Sequence, residues 1–139
     1  MEYDKYIEIL DLCFGVQNKQ DLFGWETLNK FDNLIADKTF DYKIYKNGKR
    51  IVIAFSGADI NQSDDLKNAL IIITTSNIPQ QYFYAKYLYE CISKDKSYKG
   101  CSIEFVGYSL GGTLANLMSH HTGLPSTALA PIGSKHIVK

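Results

Sequence analysis

Apolar and polar positions follow several rhythms along this chain, and each predicts an element. Tyr6, Ile7, Ile9, Leu10, Cys13 and Phe14 fall at helical spacing, which predicts an amphipathic helix over residues 3–14 that stops at Gly15. Leu22, Trp25, Leu28 and Phe31 recur at three-residue intervals. They predict a second short helix or turn from Asp21 to Phe31, packed on a sheet, with Trp25 as a packing anchor. The rhythm then changes to two. Thr39 to Tyr45 alternates as an edge or half-exposed strand should, Asn47-Gly48 supplies a turn, and Arg50 to Phe55 returns. The returning strand is continuously apolar from Ile51, the pattern of a strand covered on both faces.

Further on, Ala69 to Ile73 is an apolar run that fits a buried helix turn or a short strand equally well. Asn77-Ile78-Pro79 announces a helix, since proline is tolerated in a first turn, where its missing N–H has no partner to lose. That helix, Gln80 to Ser93, places Tyr84, Tyr87, Leu88 and Cys91 on one stripe. After a polar turn from Lys94 to Gly100 come a strand, Cys101 to Val106, and a helix, Leu110 to about His121, closed by Gly123 and Pro125. Thr127 to Ala130 reads as one more short buried strand. Helices set between buried apolar strands imply right-handed parallel crossovers, hence an α/β sheet that is mostly parallel, with an antiparallel hairpin at its start.

The chemistry in this pattern sits at Gly107-Tyr108-Ser109-Leu110-Gly111-Gly112, between the strand and the helix. A serine hydroxyl is a poor nucleophile, and a sharp strand-to-helix turn helps by presenting its oxygen clear of its own backbone. Gly107 and Gly111 lack a Cβ, so strand and helix can approach around the bend. Ser109 is therefore the expected nucleophile. The amide of Leu110, at the positive end of the helix dipole, is an expected oxyanion donor. The bland alternative is a serine that merely occupies a turn and caps a helix; the apolar strand before it and the Ala/Leu-rich helix after it favour catalysis.

Composition narrows the possibilities. At 139 residues and 45% apolar, the chain is expected to be a single domain with a real core: a helical segment over 1–35, then sheet and elbow over 39–133. Fifteen basic and fifteen acidic residues balance, which argues against nucleic acid as a partner. The ten tyrosines and seven phenylalanines fall within apolar segments and so suit core and pocket walls. Cys13, Cys91 and Cys101 are odd in number and widely spaced, and read as small buried hydrophobes rather than a disulfide framework. Met1 to Lys5 is charged and lacks a signal-peptide pattern, and no apolar run is long enough to cross a bilayer. A reducing, cytoplasmic compartment is the default expectation, with signal-independent export left open.

Gly107-Tyr108-Ser109-Leu110-Gly111-Gly112-Thr113-Leu114-Ala115 resembles the elbow of the class 3 lipase branch of the α/β-hydrolases. Three other stretches carry the same resemblance, over about residues 39–133. Ile51 to Ala58 is similar to the strand and oxyanion loop of those enzymes, Asp64 to Asn68 to the acidic segment after it, and Thr127 to Pro131 to the strand after the elbow helix. The resemblance implies a lipase-, phospholipase- or esterase-like hydrolase acting on an ester or lipid, without cofactor or metal. It makes Ser109 the nucleophile and the backbone amides of Leu110 and Ala58 the oxyanion hole. Two departures stand in the first loop: Ser56 where arginine is usual, and Ala58 where Thr or Ser is usual. The amide at Ala58 survives, but a side-chain hydroxyl contact is lost. One such donor is typically worth ~3 kcal/mol, so a slower enzyme is expected rather than a dead one.

The triad partners are missing. In this family the order is Ser, then Asp or Glu, then His, yet no Asp or Glu follows Ser109. His120 and His121 lie ~16 Å along the helix from Ser109 at ~1.5 Å per residue, and on a helix end suit the last carbonyls. His136 comes only one connection later, before the family reaches its acid. Asp59, Asp64 and Asp65 precede the serine and would invert the order. The expectation is an incomplete hydrolase, with acid and base outside these residues and an open sheet edge, near 127–130, available for self-association. The competing expectation is a catalytically degenerate hydrolase fold used as a binding or assembly module. Nucleotide and metal sites are not indicated: the glycine spacing is wrong, and adjacent His120-His121 face different directions.

Overall fold

The structure, a computed structural model, describes residues 24–37, 40–55, 78–108 and 110–129. The helix expected over 3–14, the run at 69–73, and Ser56, Ala58, Asp59, Asp64, Asp65, Ser109 and His136 lie outside them. Among the described residues there are five strands and two α-helices: β1 Glu26–Thr27, β2 Tyr42–Asn47, β3 Arg50–Phe55, α1 Ile78–Ser93, β4 Ser102–Tyr108, α2 Leu110–Thr122 and β5 Ser126–Leu129. The strands form one sheet in the order β1-β2-β3-β4-β5. β1/β2 and β2/β3 are antiparallel, while β3/β4 and β4/β5 are parallel. The class is α/β, with a mixed sheet among the described residues rather than the mostly parallel one expected.

The hairpin works through its turn. Asn47 pairs with Arg50, so the two loop residues are Gly48 and Lys49, one position later than the expected Asn47-Gly48. Gly48 has φ +64°, the left-handed conformation that tight hairpin turns need at their first central residue. The returning strand β3 is buried from Ile51 to Phe55, as its unbroken apolar run predicts. Ile51, Ile53 and Phe55 enter one core, while Val52 and Ala54 enter another with Trp25, Tyr45 and Val106 on the opposite face. Both helices supply the first core: Ala85, Leu88 and Ile92 from α1; Leu110, Leu114, Ala115, Leu117 and Met118 from α2.

The described part of the expected segment, residues 24–31, differs from the helical expectation. Of these residues only Asn29–Phe31 winds, as a short 3-10 turn, and Glu26–Thr27 adds an antiparallel strand to β2. A sheet edge offers unpaired amides and carbonyls, and pairing them outweighs a weak helical spacing. β2 is therefore flanked on both sides over part of its length. Trp25 does anchor the packing: its ring stands edge-on to Tyr45, centroids 6.3 Å apart, and Arg50 lies 5.2 Å over its face. Arg50 also grips Glu104 on β4 through two bonds, of 3.0 and 3.2 Å, a fork that ties the first parallel pair together.

Two further expectations shift. On α1 the fully buried stripe is Gln81, Ala85, Leu88 and Ile92; Tyr84 and Cys91 are half-buried and Tyr87 is 47% exposed. The helix rests this line on the sheet, with Tyr82, Tyr84 and Tyr89 packed against the core and Phe83 and Tyr87 turned outward. The last strand runs Ser126–Leu129, and all four residues are half-buried rather than buried. β5 ends the strand order, with β4 as its neighbour. α2 stops as expected: Gly123, at φ +78°, donates its N–H to the carbonyl of Ser119 at 2.8 Å.

One ion pair makes a pH prediction. Lys30 bonds the carboxylate of Asp95, which also accepts the Ser97 amide at 2.9 Å. The Lys30 bond first, and then the Ser97 amide, hold the Asp95 carboxyl below its ordinary value. A depressed carboxyl contributes stability above its unfolded value of about 4, and that contribution is lost as pH falls through the folded value. The thermal midpoint of the native chain is expected to fall more steeply on acidification below about pH 4 than that of Asp95→Asn. Circular-dichroism melts across that window check it; parallel slopes would refute it.

Candidate active site

The strand and the helix that the Gly-x-Ser-x-Gly pattern predicts are both present, and a single residue separates them. β4 ends at Tyr108 and α2 begins at Leu110. The glycines explain how two regular elements meet so abruptly. A Cβ added at Gly107 would sit 2.0 Å from the carbonyl oxygen of Gly111 and 2.6 Å from the amide nitrogen of Gly112. Atoms never approach so closely, so only glycine fits. At Gly112 an added Cβ would meet the Ala128 Cβ at 3.1 Å and the Gly107 carbonyl oxygen at 3.2 Å. That second glycine lets α2 settle onto both β4 and β5.

From Leu110 to Met118 every side chain of α2 except Asn116 is buried, so the helix lies over the middle of the sheet. Its first turn carries no acidic side chain. The opening amides of a helix have no partner within it, and the dipole leaves them positive. Negative charge developing beside the end of β4 would meet these amides first. Leu110, an expected donor, has its side chain fully buried in the core, which fixes the backbone that carries the amide. Ser109 and Ala58 lie outside the described residues.

The register nevertheless relates the two loops. Tyr42, Phe55, Gly107 and Ala128 form one row across four strands. Gly107 and Phe55 stand level on adjacent parallel strands ~4.8 Å apart, and in the sequence Ser109 comes two residues after the one and Ala58 three after the other. Loops leaving the carboxyl ends of neighbouring parallel strands are where α/β sheets place their sites. Beside the same row opens a cleft of about 710 Å³, walled by Ile35, Phe40 and Tyr42 with Asp32, Asp37 and Asp41. Phe40 packs against Tyr42, Phe55 and Tyr84 at centroid distances of 5.2, 6.0 and 5.6 Å, which makes its floor aromatic. Tyr42 donates its hydroxyl to the Phe31 carbonyl, and burial, then the Asp32 charge, push its phenol above the ordinary value. Sequence reasoning missed this cleft. No sequence signal pointed to it: the expected turn at Asn47-Gly48 would set Tyr42 level with Ile53, and only the observed turn sets it level with Phe55.

His120 and His121 stand exposed in the last turn of α2, at the end away from Leu110, as expected from their spacing. His121 meets the ring of Tyr82 edge-on at 6.2 Å. Among the described residues after position 109, these two are the only titratable side chains. Neither reaches the start of α2. No family model, curated protein or solved structure matches this chain. Among the described residues no group of three or more His, Cys, Asp or Glu is placed to hold a metal ion. Nor is any helix among them long and apolar enough to cross a membrane.

Proposed function

We propose that the chain carries the nucleophile of a carboxylic-ester hydrolase resembling the class 3 lipases, with Ser109 as the attacking group. The observation that carries this reading is the contact at Gly107, where a Cβ would fall 2.0 Å from the Gly111 carbonyl oxygen. A turn that tight, with one residue between a strand and a buried helix, is a costly device for a mere loop. It suits the presentation of a side chain at the carboxyl edge of a sheet. In the proposed reaction the Ser109 Oγ adds to the ester carbonyl carbon while its proton passes to a base. The amides of Leu110 and Ala58 hold the oxyanion, the alcohol leaves with the proton, and water releases the acid. The aromatic-floored cleft beside Tyr42 is the proposed seat for part of the substrate.

The distance of His120 and His121 from the start of α2 favours a specific form of this proposal. The base and its acid are supplied from outside the segment after Ser109, by further sequence or by another subunit across β5. Alone, the chain is then a slow esterase. A fluorophosphonate probe is expected to modify it slowly, with the adduct on the peptide containing Ser109 and absent from Ser109→Ala, as read by intact and peptide mass spectrometry. Fast stoichiometric labelling would refute the missing base. The absence of any Ser109 adduct after prolonged exposure would refute the nucleophile and favour the second reading, a degenerate hydrolase fold that binds without reacting.

A further inference from the structure

At the opposite end of the sheet, where β4 begins, lies a second cleft of about 670 Å³. Residues 102 and 107 of β4 are about five strand steps, or ~17 Å, apart, so this cleft is well removed from the elbow. Three lysines line it, Lys94, Lys96 and Lys99, together with two carboxylates, Asp95 and Glu104. Both carboxylates are already engaged. Asp95 is held by Lys30 and the Ser97 amide, and Glu104 by the fork of Arg50. Neither Lys30 nor Arg50 lines the cleft, so its negative charges are neutralised from behind.

The lysines have no such compensation: among the described residues, no carboxylate pairs with Lys94, Lys96 or Lys99. The whole chain balances fifteen basic against fifteen acidic residues, so this excess is local. The carbonyl end of α1 accounts for part of it, since a helix C-terminus carries about half a negative charge. One ammonium, that of Lys94 next to Ser93, offsets that; Lys96 and Lys99 remain. Two walls are aromatic and fixed by packing: Tyr89 lies 5.9 Å from Phe105 and Tyr98 6.1 Å from Phe31.

We propose that this cleft binds a phosphate ester bearing at least two negative charges, with its organic part against the tyrosines. Lysine is a point-charge binder of phosphate, and three on one short turn suit a polyanion better than a single carboxylate. The phosphate could belong to a free metabolite-sized ester or to a lipid headgroup. The proposal does not depend on the role of Ser109.

Calorimetry with inorganic pyrophosphate and with adenosine diphosphate tests the free form. Co-sedimentation with phosphatidylcholine vesicles containing phosphatidic acid tests the headgroup. Binding is expected at low salt, tighter for adenosine diphosphate than for pyrophosphate, and weakened as salt screens the charges. Replacing Lys94, Lys96 and Lys99 together by alanine should weaken it by roughly tenfold or more. Removing Lys43, Lys46 and Lys86, which lie outside the cleft, should leave it nearly unchanged. Should the triple variant fail to fold by circular dichroism, Lys96→Glu alone serves as the test. Binding by the soluble probes assigns a free ester, and binding only to the vesicles assigns a headgroup. No binding of either at millimolar concentration, or equal loss in both lysine triples, overturns the proposal.

Discussion

Gly107→Ala is expected to lower stability by about 3 kcal/mol or more, enough to drop the thermal midpoint by roughly 10 °C. Within a strand, alanine is ordinarily better than glycine by ~0.5–1 kcal/mol because glycine leaves the unfolded chain more freedom to lose on folding. Here that gain is overwhelmed. The new methyl would lie 2.0 Å from the Gly111 carbonyl oxygen and 2.2 Å from its carbon, and both are backbone atoms that no rotamer change can move aside. Relief requires lifting α2 away from β4, which opens the core around Leu110 and Leu114. Gly112→Ala is the matched control. Its nearest contacts are 3.1 to 3.3 Å, and helix propensity favours alanine by ~1 kcal/mol, so the net change should be near zero. Urea denaturation of both variants checks the pair. A Gly107→Ala midpoint like that of the native chain would remove the close approach on which the elbow reading rests.

Gly107 was legible in the sequence because it carries a backbone requirement, and backbone requirements are local. The same holds for Gly48 in the hairpin and Gly123 after α2, both at positive φ where the pattern places a turn or a stop. The burial of β3 was legible for a related reason: Ile51 to Phe55 has no polar residue to offer either face. What failed was the reading of faces and edges. Leu22, Trp25, Leu28 and Phe31 have helical spacing, yet the Leu28 amide bonds the Ile44 carbonyl at 2.8 Å in an extended pairing. No local signal announces that β2 has a free edge and that Trp25 has Tyr45 and Arg50 to lie against.

Tyr87 shows the same limit on α1. Its spacing matches Tyr84, Leu88 and Cys91, but Ala85 lets the helix sit close to the sheet along a line that excludes it. The lysine cleft lay beyond sequence reasoning because its charge excess depends on partners distant in the chain. Lys30 reaches Asp95 across sixty-five positions, and Arg50 reaches Glu104 across fifty-four. Read in order, Lys94 to Gly100 is only a polar turn. That no Asp or Glu follows Ser109 needs no structure to be noticed.

Phe105→Ala is expected to cost about 4 kcal/mol, within the range for deleting a fully buried aromatic ring. Phe105 has no exposed surface and stands near the middle of β4, a strand paired on both sides. Its ring is nearly parallel to Phe55 at 6.3 Å and tilted against Tyr89 at 5.9 Å, so its removal leaves a hole between the sheet and α1. The neighbours cannot close that hole easily. β4 is held by Arg50 through Glu104 and by the Phe105 amide, which donates to the Pro125 carbonyl at 3.0 Å. Phe105→Leu, which keeps most of the volume, should lose only ~1–2 kcal/mol, and Tyr108→Ala, at 45% exposure, less still. Urea midpoints in that order would tie stability to the strand that precedes Ser109 in the sequence. A loss below ~1 kcal/mol for Phe105→Ala would mean that β4 is not the central packed strand, and with it would go the rigid support that a presented nucleophile requires.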